Sequence, residues 1–176
     1  MRIVSGKYKG RHFQADDSLP VRPTTDMAKE SLFNILRSRV DFEDLKVLDL
    51  FSGIGGISYE FISRGAALVH AIDMNVHCVA FIKSMAEKWD MPNLRVFRQN
   101  AFDYPRQCSI GYNLIFADPP YQADNIAQLP DIIFSSSILL ENGIFILEHS
   151  EKYNFKDHPH FSEVRKYGKV HFSFFF

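Results

Sequence analysis

Val47-Leu48-Asp49-Leu50-Phe51-Ser52-Gly53-Ile54-Gly55-Gly56 is the stretch of sequence that decides the fold. Its first five residues predict a strand, and the glycines that follow give the turn conformational freedom and let a ligand approach the backbone closely. After the turn, the sequence predicts a helix that ends near Gly65. A strand, a glycine turn and a helix in this order predict a βαβ fold with a nucleotide-like ligand at the turn.

The rest of the chain continues this alternation of strands and helices. Further strands are predicted at 68–73, 94–98, 112–117 and 143–148, helices at 76–89 and 126–139, and a closing hairpin at 162–167 and 169–176. Such alternation is typical of parallel βαβ units, and the aromatic last strand is expected inside the sheet. We therefore predict an α/β, Rossmann-like fold whose seven-stranded sheet is mostly parallel with one antiparallel strand.

Residues 1–22 precede this pattern and are predicted to form a small basic arm, while 23–176 form the main domain. Arg2 to Gly6 and Gly10 to Gln14 are expected to be the two short strands of a β-hairpin. A helix that starts at Pro23-Thr24-Thr25-Asp26 should join the arm to the main domain, because cap-type side chains precede apolar residues at helical spacing.

The charge of the chain restricts where a nucleic acid could bind. The chain has 176 residues and a formal net charge of -1, so contact with a nucleic acid requires a local basic patch. The arm supplies one, and its candidate RNA-binding residues are Arg2, Lys7, Lys9 and Arg11. A solvated basic face is the alternative interpretation of the same residues.

Two further observations limit the function classes. Cys78 and Cys108 lie far apart without zinc-ligand spacing, so we expect reduced thiols and no metal. No apolar run resembles a signal peptide or reaches transmembrane length, which predicts a soluble cytoplasmic protein without a membrane partner.

The glycine loop has the pattern of an adenosylmethionine site. Asp49 lies four positions before Gly53-Ile54-Gly55, whereas Ser58 occupies the third glycine position of a dinucleotide fingerprint and disfavours a nicotinamide cofactor. Asp49 can attract the cationic end of the ligand, and the Phe51 ring can lie near a sulfonium. A tight turn with a capping Asp is the alternative.

The ends of the next two strands supply further candidate contacts. Asp73, with Met74 beside it, is expected to accept hydrogen bonds from the two ribose hydroxyls, although it can equally cap the helix that follows. Asn100 and Ala101 follow the third strand and are candidates for the adenine edge. These residues complete the predicted cofactor site.

Asp118-Pro119-Pro120-Tyr121 follows the fourth strand and is the predicted catalytic loop. The Asp118 carboxylate and the Pro119 carbonyl can accept the two hydrogens of an exocyclic amine, and Tyr121 can stack on its base. An ordinary Asp-Pro turn is the alternative for the tetrapeptide alone. Its position after the glycine loop and Asp73 favours amine methylation.

With these motifs the sequence resembles the class I methyltransferases and, in detail, the RsmD-like 16S rRNA guanine-N2 methyltransferases. The resemblance also rests on Met1 to Lys7 with Gly10-Arg11, and on 22–26 with Glu30, Phe33 and Asn34. It implies that a monomer uses S-adenosylmethionine to methylate one guanine N2 of 16S rRNA within a partly assembled small-subunit particle. It also implies that Arg22 and Thr24 lie near the methionine end of the cofactor.

Three other functions stay open at this point. They are an N6-adenine nucleic-acid methyltransferase, a silent cofactor- and RNA-binding module, and a nicotinamide oxidoreductase. Asn100 stands where the family usually has Asp, for which we expect altered cofactor affinity and retained activity. Deletion of residues 1 to 13 is expected to weaken binding to the RNA particle without changing cofactor affinity.

Overall fold

The computed structural model describes residues 1–14 and 26–176 of the chain. Its helices are α1 (Asp26–Leu36), α2 (Gly56–Ser63), α3 (Val76–Lys88), α4 (Tyr104–Gln107) and α5 (Leu129–Ser135). Its strands are β1 (Lys46–Leu50), β2 (Leu68–Asp73), β3 (Leu94–Arg98), β4 (Tyr112–Ala117), β5 (Leu139–His149), β6 (Phe161–Tyr167) and β7 (Val170–Phe175). Strands and helices alternate from β1 to β5, as the sequence predicts, and α4 is a further short helix that the sequence does not predict.

The strands form one sheet in the order β3-β2-β1-β4-β5-β7-β6. The five strands from β3 to β5 are mutually parallel, and β7 runs antiparallel to both of its neighbours. The predicted Rossmann-like, mostly parallel seven-stranded sheet with one antiparallel strand is therefore confirmed. Strand order reverses between β1 and β4, and ligands bind at such a switch point, outside the carboxyl ends of the strands.

Each face of the sheet carries an apolar core, because the central strands are covered by helices on both sides. Val47 and Phe116 belong to the core that packs against α1, α2 and α3, and Leu48 belongs to the core beneath α4 and α5. Asp49 follows two residues after Val47 and pairs in register with Phe116. Side-chain alternation therefore directs the Asp49 carboxylate to the face covered by α1 and α2.

The N-terminal hairpin is shorter than predicted. A single antiparallel bridge joins Arg2 to His12 where the sequence predicts two short strands. The ladder stops there because the amides of Val4 and Ser5 donate to the Glu60 carboxylate of α2, at 2.8 and 3.0 Å, and not to a partner strand. These residues are thus fixed by the main domain as well as by each other.

Burial also ties the arm to the main domain. Ile3, Tyr8 and Phe13 belong to the main core, with exposed fractions of 1%, 5% and 4%. Deleting residues 1 to 13 would therefore remove core side chains, and the expectation that this deletion spares the cofactor site conflicts with the packing. The predicted helix start at 23–25 lies outside the described residues.

The helix predicted at 126–139 is much shorter in the structure. It consists of a single 3-10 turn, Ile126–Gln128, followed by α5, and β5 begins as early as Leu139. The hydroxyls of Ser135 and Ser136 donate to carbonyls of the last turn, at 3.2 and 2.7 Å. Serines that bond the backbone in this way compete with helix propagation and end α5.

Candidate active site

A cavity of about 890 Å³ opens at the carboxyl ends of the central strands. This volume suits a ligand of nucleoside size or larger. The predicted site residues that line it are Asp49, Phe51, Gly53, Asp73, Met74, Asn100, Ala101, Asp118, Pro119, Pro120 and Tyr121. The predicted cofactor and catalytic groups thus share one cavity, with the exception of Gly55. Arg22 and Thr24 lie outside the described part of the chain.

The glycine loop has a backbone that only few residues can adopt. Gly53 and Gly55 have φ angles of 53° and 84°, and Phe51 also has a positive φ, 60°. A left-handed conformation at a phenylalanine is strained, and such strain is concentrated at functional sites. Gly55 does not line the cavity, and a Cβ there would meet the Tyr59 Cζ at 2.7 Å. Its role is therefore to let the loop turn tightly over α2.

The Asp49 carboxylate is buried at the floor of the cavity, with 1% of its surface exposed. The Ser58 hydroxyl donates to its Oδ2 at 2.5 Å. Burial, opposed by this hydrogen bond and assisted by repulsion from Asp118 and Asp73, raises the pKa of Asp49 from 3.8 to about 7. Ser58, the residue that disfavours a dinucleotide fingerprint, thus orients the Asp49 carboxylate. A cationic ligand beside this carboxylate would stabilise its charged form.

Asp73 joins the end of β2 to the glycine loop. Its Oδ2 accepts a hydrogen bond from the Gly53 amide and its Oδ1 accepts one from the Asn75 amide, both at 2.8 Å. Burial raises the pKa of Asp73 and these two hydrogen bonds lower it, with burial dominant. Asn75, not Asp73, caps α3 by accepting from the amides of the first turn. The alternative in which Asp73 caps this helix is therefore wrong.

Residues 100–102 form the wall next to the end of β3. The Asn100 Oδ1 accepts a hydrogen bond from the Phe102 amide at 2.9 Å, which closes a turn at this point. Ala101 is buried, and the Phe102 ring packs edge-on against Phe51 with their centroids 5.2 Å apart. Because an amide oxygen has two lone pairs, Asn100 can hold this turn and still accept a bond from a ligand.

The predicted catalytic loop begins where β4 ends. The Asp118 amide donates to the Leu50 carbonyl at 3.3 Å, which ties this loop to the end of β1 beside the glycine loop. Pro119 is buried and Pro120 is exposed. The Ala123 amide donates to the Pro120 carbonyl at 2.8 Å and closes a turn around Tyr121. The loop therefore presents a carboxylate, a fixed carbonyl segment and an aromatic ring at the cavity.

Several lining residues were missed from sequence alone. Lys29 and Glu148 line the cavity with 1% and 3% of their surfaces exposed, and Cys78 and Phe102 line it as well. The signal for Lys29 was a charged residue on the apolar face of a helix, three positions before Leu32. For Glu148 the signal was an acidic residue at the end of an apolar strand.

The four candidate RNA-binding residues are exposed and are not among the residues that line the cavity. The Lys7 ammonium and the Arg11 guanidinium both lie over the Tyr8 ring, at 5.0 and 4.9 Å from its centroid. Lys9 is exposed. Arg2 is also exposed, and its guanidinium lies 3.8 Å from Asp26 and 3.7 Å from Glu30.

Two features, a membrane-spanning helix and a cluster of metal ligands, are not found among the described residues. No helix within 1–14 and 26–176 is long and apolar enough to cross a membrane. In the same part of the chain, no group of three or more His, Cys, Asp or Glu side chains could hold a metal ion.

Comparison with known proteins places this geometry among methyltransferases. The model of a family described as Conserved hypothetical protein 95 matches residues 1–176. The chain is 31% identical over 149 residues to ribosomal RNA small subunit methyltransferase D of Escherichia coli (strain K12), which covers 84% of this chain and 74% of that protein.

Solved structures agree with this match. The structure of Escherichia coli yhhF has a TM-score of 0.87 at 25% identity and covers 99% of this chain and 96% of that chain. A T. thermophilus 16S rRNA N2 methyltransferase (RsmC), solved with AdoMet and guanosine, has a TM-score of 0.71 at 16% identity. It covers 89% of this chain and 44% of that chain, and the likeness concerns the fold.

Proposed function

The chain belongs to the Conserved hypothetical protein 95 family, together with ribosomal RNA small subunit methyltransferase D, and on this premise we propose that it methylates the exocyclic N2 of a guanine in 16S rRNA. The observation that carries the proposal is the single cavity shared by the glycine loop and the Asp118 loop. A hydrogen bond between Asp118 and Leu50 holds these two loops side by side.

The cavity fits S-adenosylmethionine as the methyl donor. Asp49, buried and close to Asp73 and Asp118, gives the cavity a negative potential that suits the ammonium and sulfonium groups. Each Asp73 carboxylate oxygen accepts one backbone amide and keeps lone pairs that would accept from the ribose hydroxyls, and Asn100 with Ala101 would contact the adenine. When bound, the donor supplies an electrophilic methyl group on sulfur and leaves as a neutral thioether.

The Asp118 loop would supply the remaining chemistry. The N2 lone pair of guanine is delocalised into the ring, and acceptors at both amine hydrogens favour its localisation. Asp118 and the Pro119 carbonyl, which both belong to residues lining the cavity, would accept these hydrogens and aim the nitrogen at the methyl group. On transfer of the methyl group N2 would lose one proton, which the Asp118 carboxylate would accept. Tyr121 would stack on the base.

The substrate would be held by the outer surface of the arm. Lys7, Lys9 and Arg11 are exposed cations suited to phosphate contacts, which position a protein on folded RNA without reading its sequence. We place Arg2 in the same surface and Arg22 and Thr24 at the methionine end of the donor. A monomer acting in the cytoplasm on a small-subunit assembly particle completes the proposal.

Transfer to purified small-subunit particles tests this function. The particles would come from cells that lack the gene, and the donor would carry a labelled methyl group. After digestion to nucleosides, the label should be found in N2-methylguanosine, with naked 16S rRNA as the matched substrate control. Label in N6-methyladenosine would favour the adenine alternative, and absence of transfer with intact donor binding would favour a silent module.

A further inference from the structure

Lys29 is a buried lysine in the wall of the cavity. It lies in α1 and has 1% of its surface exposed. Its ammonium donates to the Arg2 carbonyl at 2.5 Å and lies 3.5 Å from the Asp26 carboxylate. An ammonium has three protons, so these two partners, counted among residues 1–14 and 26–176, leave a third donor. A buried ammonium needs such partners, and they hold it in the wall of the cavity.

The position of Lys29 relates it to the start of α2. Its ammonium lies 6.0 Å from the centroid of the Phe13 ring. Phe13 and Met1 in turn lie 3.8 and 3.6 Å from the point that a Cβ on Gly56 would occupy. Gly56 is the first residue of α2, where backbone amides lack helical partners. Lys29 therefore lies on the side of the cavity where the glycine loop becomes a helix.

The cavity wall carries several acidic side chains and the basic side chain of Lys29. Four acidic side chains line the cavity, namely Asp49, Asp73, Asp118 and Glu148. Within the described part of the chain, Lys29 is the only lysine or arginine that lines it. A ligand with ammonium and carboxylate groups on one carbon can pair its ammonium with Asp49. Its carboxylate needs a cation close by, because it is otherwise repelled by these acids.

We propose that the Lys29 ammonium binds the carboxylate of the methionine moiety of the methyl donor, with the Arg2 carbonyl holding that ammonium in place. This inference rests on the proposed function, because it takes S-adenosylmethionine as the ligand. It makes Lys29 a residue that distinguishes the donor from analogues without the carboxylate. Charge-assisted hydrogen bonds to a buried carboxylate are strong enough to produce such discrimination.

Decarboxylated S-adenosylmethionine isolates the contact, because it keeps the adenosine, the sulfonium and the amine. Dissociation constants would be measured by calorimetry for both ligands. The wild-type chain should bind the carboxylated ligand on the order of ten- to a hundredfold more tightly. Lys29→Met should reduce this preference by about tenfold or more while changing the affinity for the decarboxylated ligand less than about twofold. Lys29→Arg should keep most of the preference.

Two controls separate this role from a structural one. Lys29→Gln keeps a donor for the Arg2 carbonyl, so it should stay folded and lose the preference as Lys29→Met does. Asp49→Asn should weaken both ligands alike, because both carry the amine. A preference that survives in the Lys29 variants, or an equal loss for both ligands, overturns the inference.

The wild-type measurement alone can overturn the inference, even if every Lys29 variant unfolds. Equal affinity of the wild-type chain for the two ligands would overturn it while leaving the methyltransferase function intact. If the wild-type chain binds neither ligand, the proposed function fails, and the inference fails with it.

Discussion

Gly55→Ala places a methyl group where the structure has no room for one. The φ of Gly55 is +84°, and the new Cβ would lie 2.7 Å from the Tyr59 Cζ and 3.1 Å from the Ile82 Cγ1. The left-handed backbone costs an alanine about 1–2 kcal/mol. Overpacking a buried position costs about 1–3 kcal/mol more. We therefore expect the free energy of unfolding to fall by about 2–5 kcal/mol.

Gly10→Ala is the matched control, because Gly10 has a φ of +83° and nothing lies within 4 Å of its Cβ position. It should cost only the backbone term, about 1–2 kcal/mol, and any effect on the unfolded chain cancels between the variants. Urea unfolding of both variants measures the difference, and calorimetry should show weakened donor binding for Gly55→Ala alone. Equal destabilisation of the two variants would refute the claim that close packing against Tyr59 excludes a side chain at Gly55.

Three further predictions concern single carboxylates. Asp118→Ala should leave donor affinity nearly unchanged and slow single-turnover methyl transfer on the order of 10²- to 10⁴-fold, and normal transfer would contradict the amine-orienting role. The pKa of Asp49 is raised from 3.8 to about 7, so below pH 7 the carboxyl group is mostly protonated and must lose its proton to bind an ammonium ligand. The affinity for such a ligand should therefore fall by up to about tenfold per pH unit below 7, and binding should release one proton. In the free protein this raised pKa makes the free energy of unfolding fall as pH rises from 3.8 to about 7. Asp49→Asn should abolish the pH dependence of ligand affinity in calorimetry and this pH dependence of the free energy of unfolding in denaturation. Glu60→Ala removes the buried carboxylate that pairs with Arg64 at 2.9 Å and accepts from the amides of Val4 and Ser5, so it should cost about 3–5 kcal/mol and speed hydrogen exchange at these two amides. Unchanged exchange would show that the arm is held by other contacts.

The fold could be predicted because local signals agree with the global topology. β2, β3 and β4 have their predicted bounds, since each is a short segment rich in apolar and β-branched residues between turn residues. The end of α5 was missed because Ser135 and Ser136 bond back to their own turn, which hydrophobic spacing does not reveal. The arm was wrong in its extent because the Glu60 carboxylate, 55 or more residues away, takes the amides that a longer hairpin would use.

The candidate site was predictable where its residues follow strand ends. Asp49, Asp73 and Asp118 all lie at the cavity because carboxyl ends of parallel strands meet at one edge. Lys29 and Glu148 reach the same cavity from α1 and from a strand beyond the switch point, and sequence order does not show that packing. The sequence was also compatible with Asp73 as a ligand contact and as the cap of α3. Only the hydrogen bonds show that Asp73 holds the Gly53 amide and that Asn75 caps the helix.

Nucleoside mass spectrometry of 16S rRNA tests the central claim most directly. The rRNA would come from cells with the gene, without it, and with the gene restored as Asp118→Ala. We predict that N2-methylguanosine falls when the gene is removed, returns with the wild-type gene and does not return with the variant. An unchanged N2-methylguanosine content after removal, or the loss of a different methylated nucleoside, would contradict the proposed function.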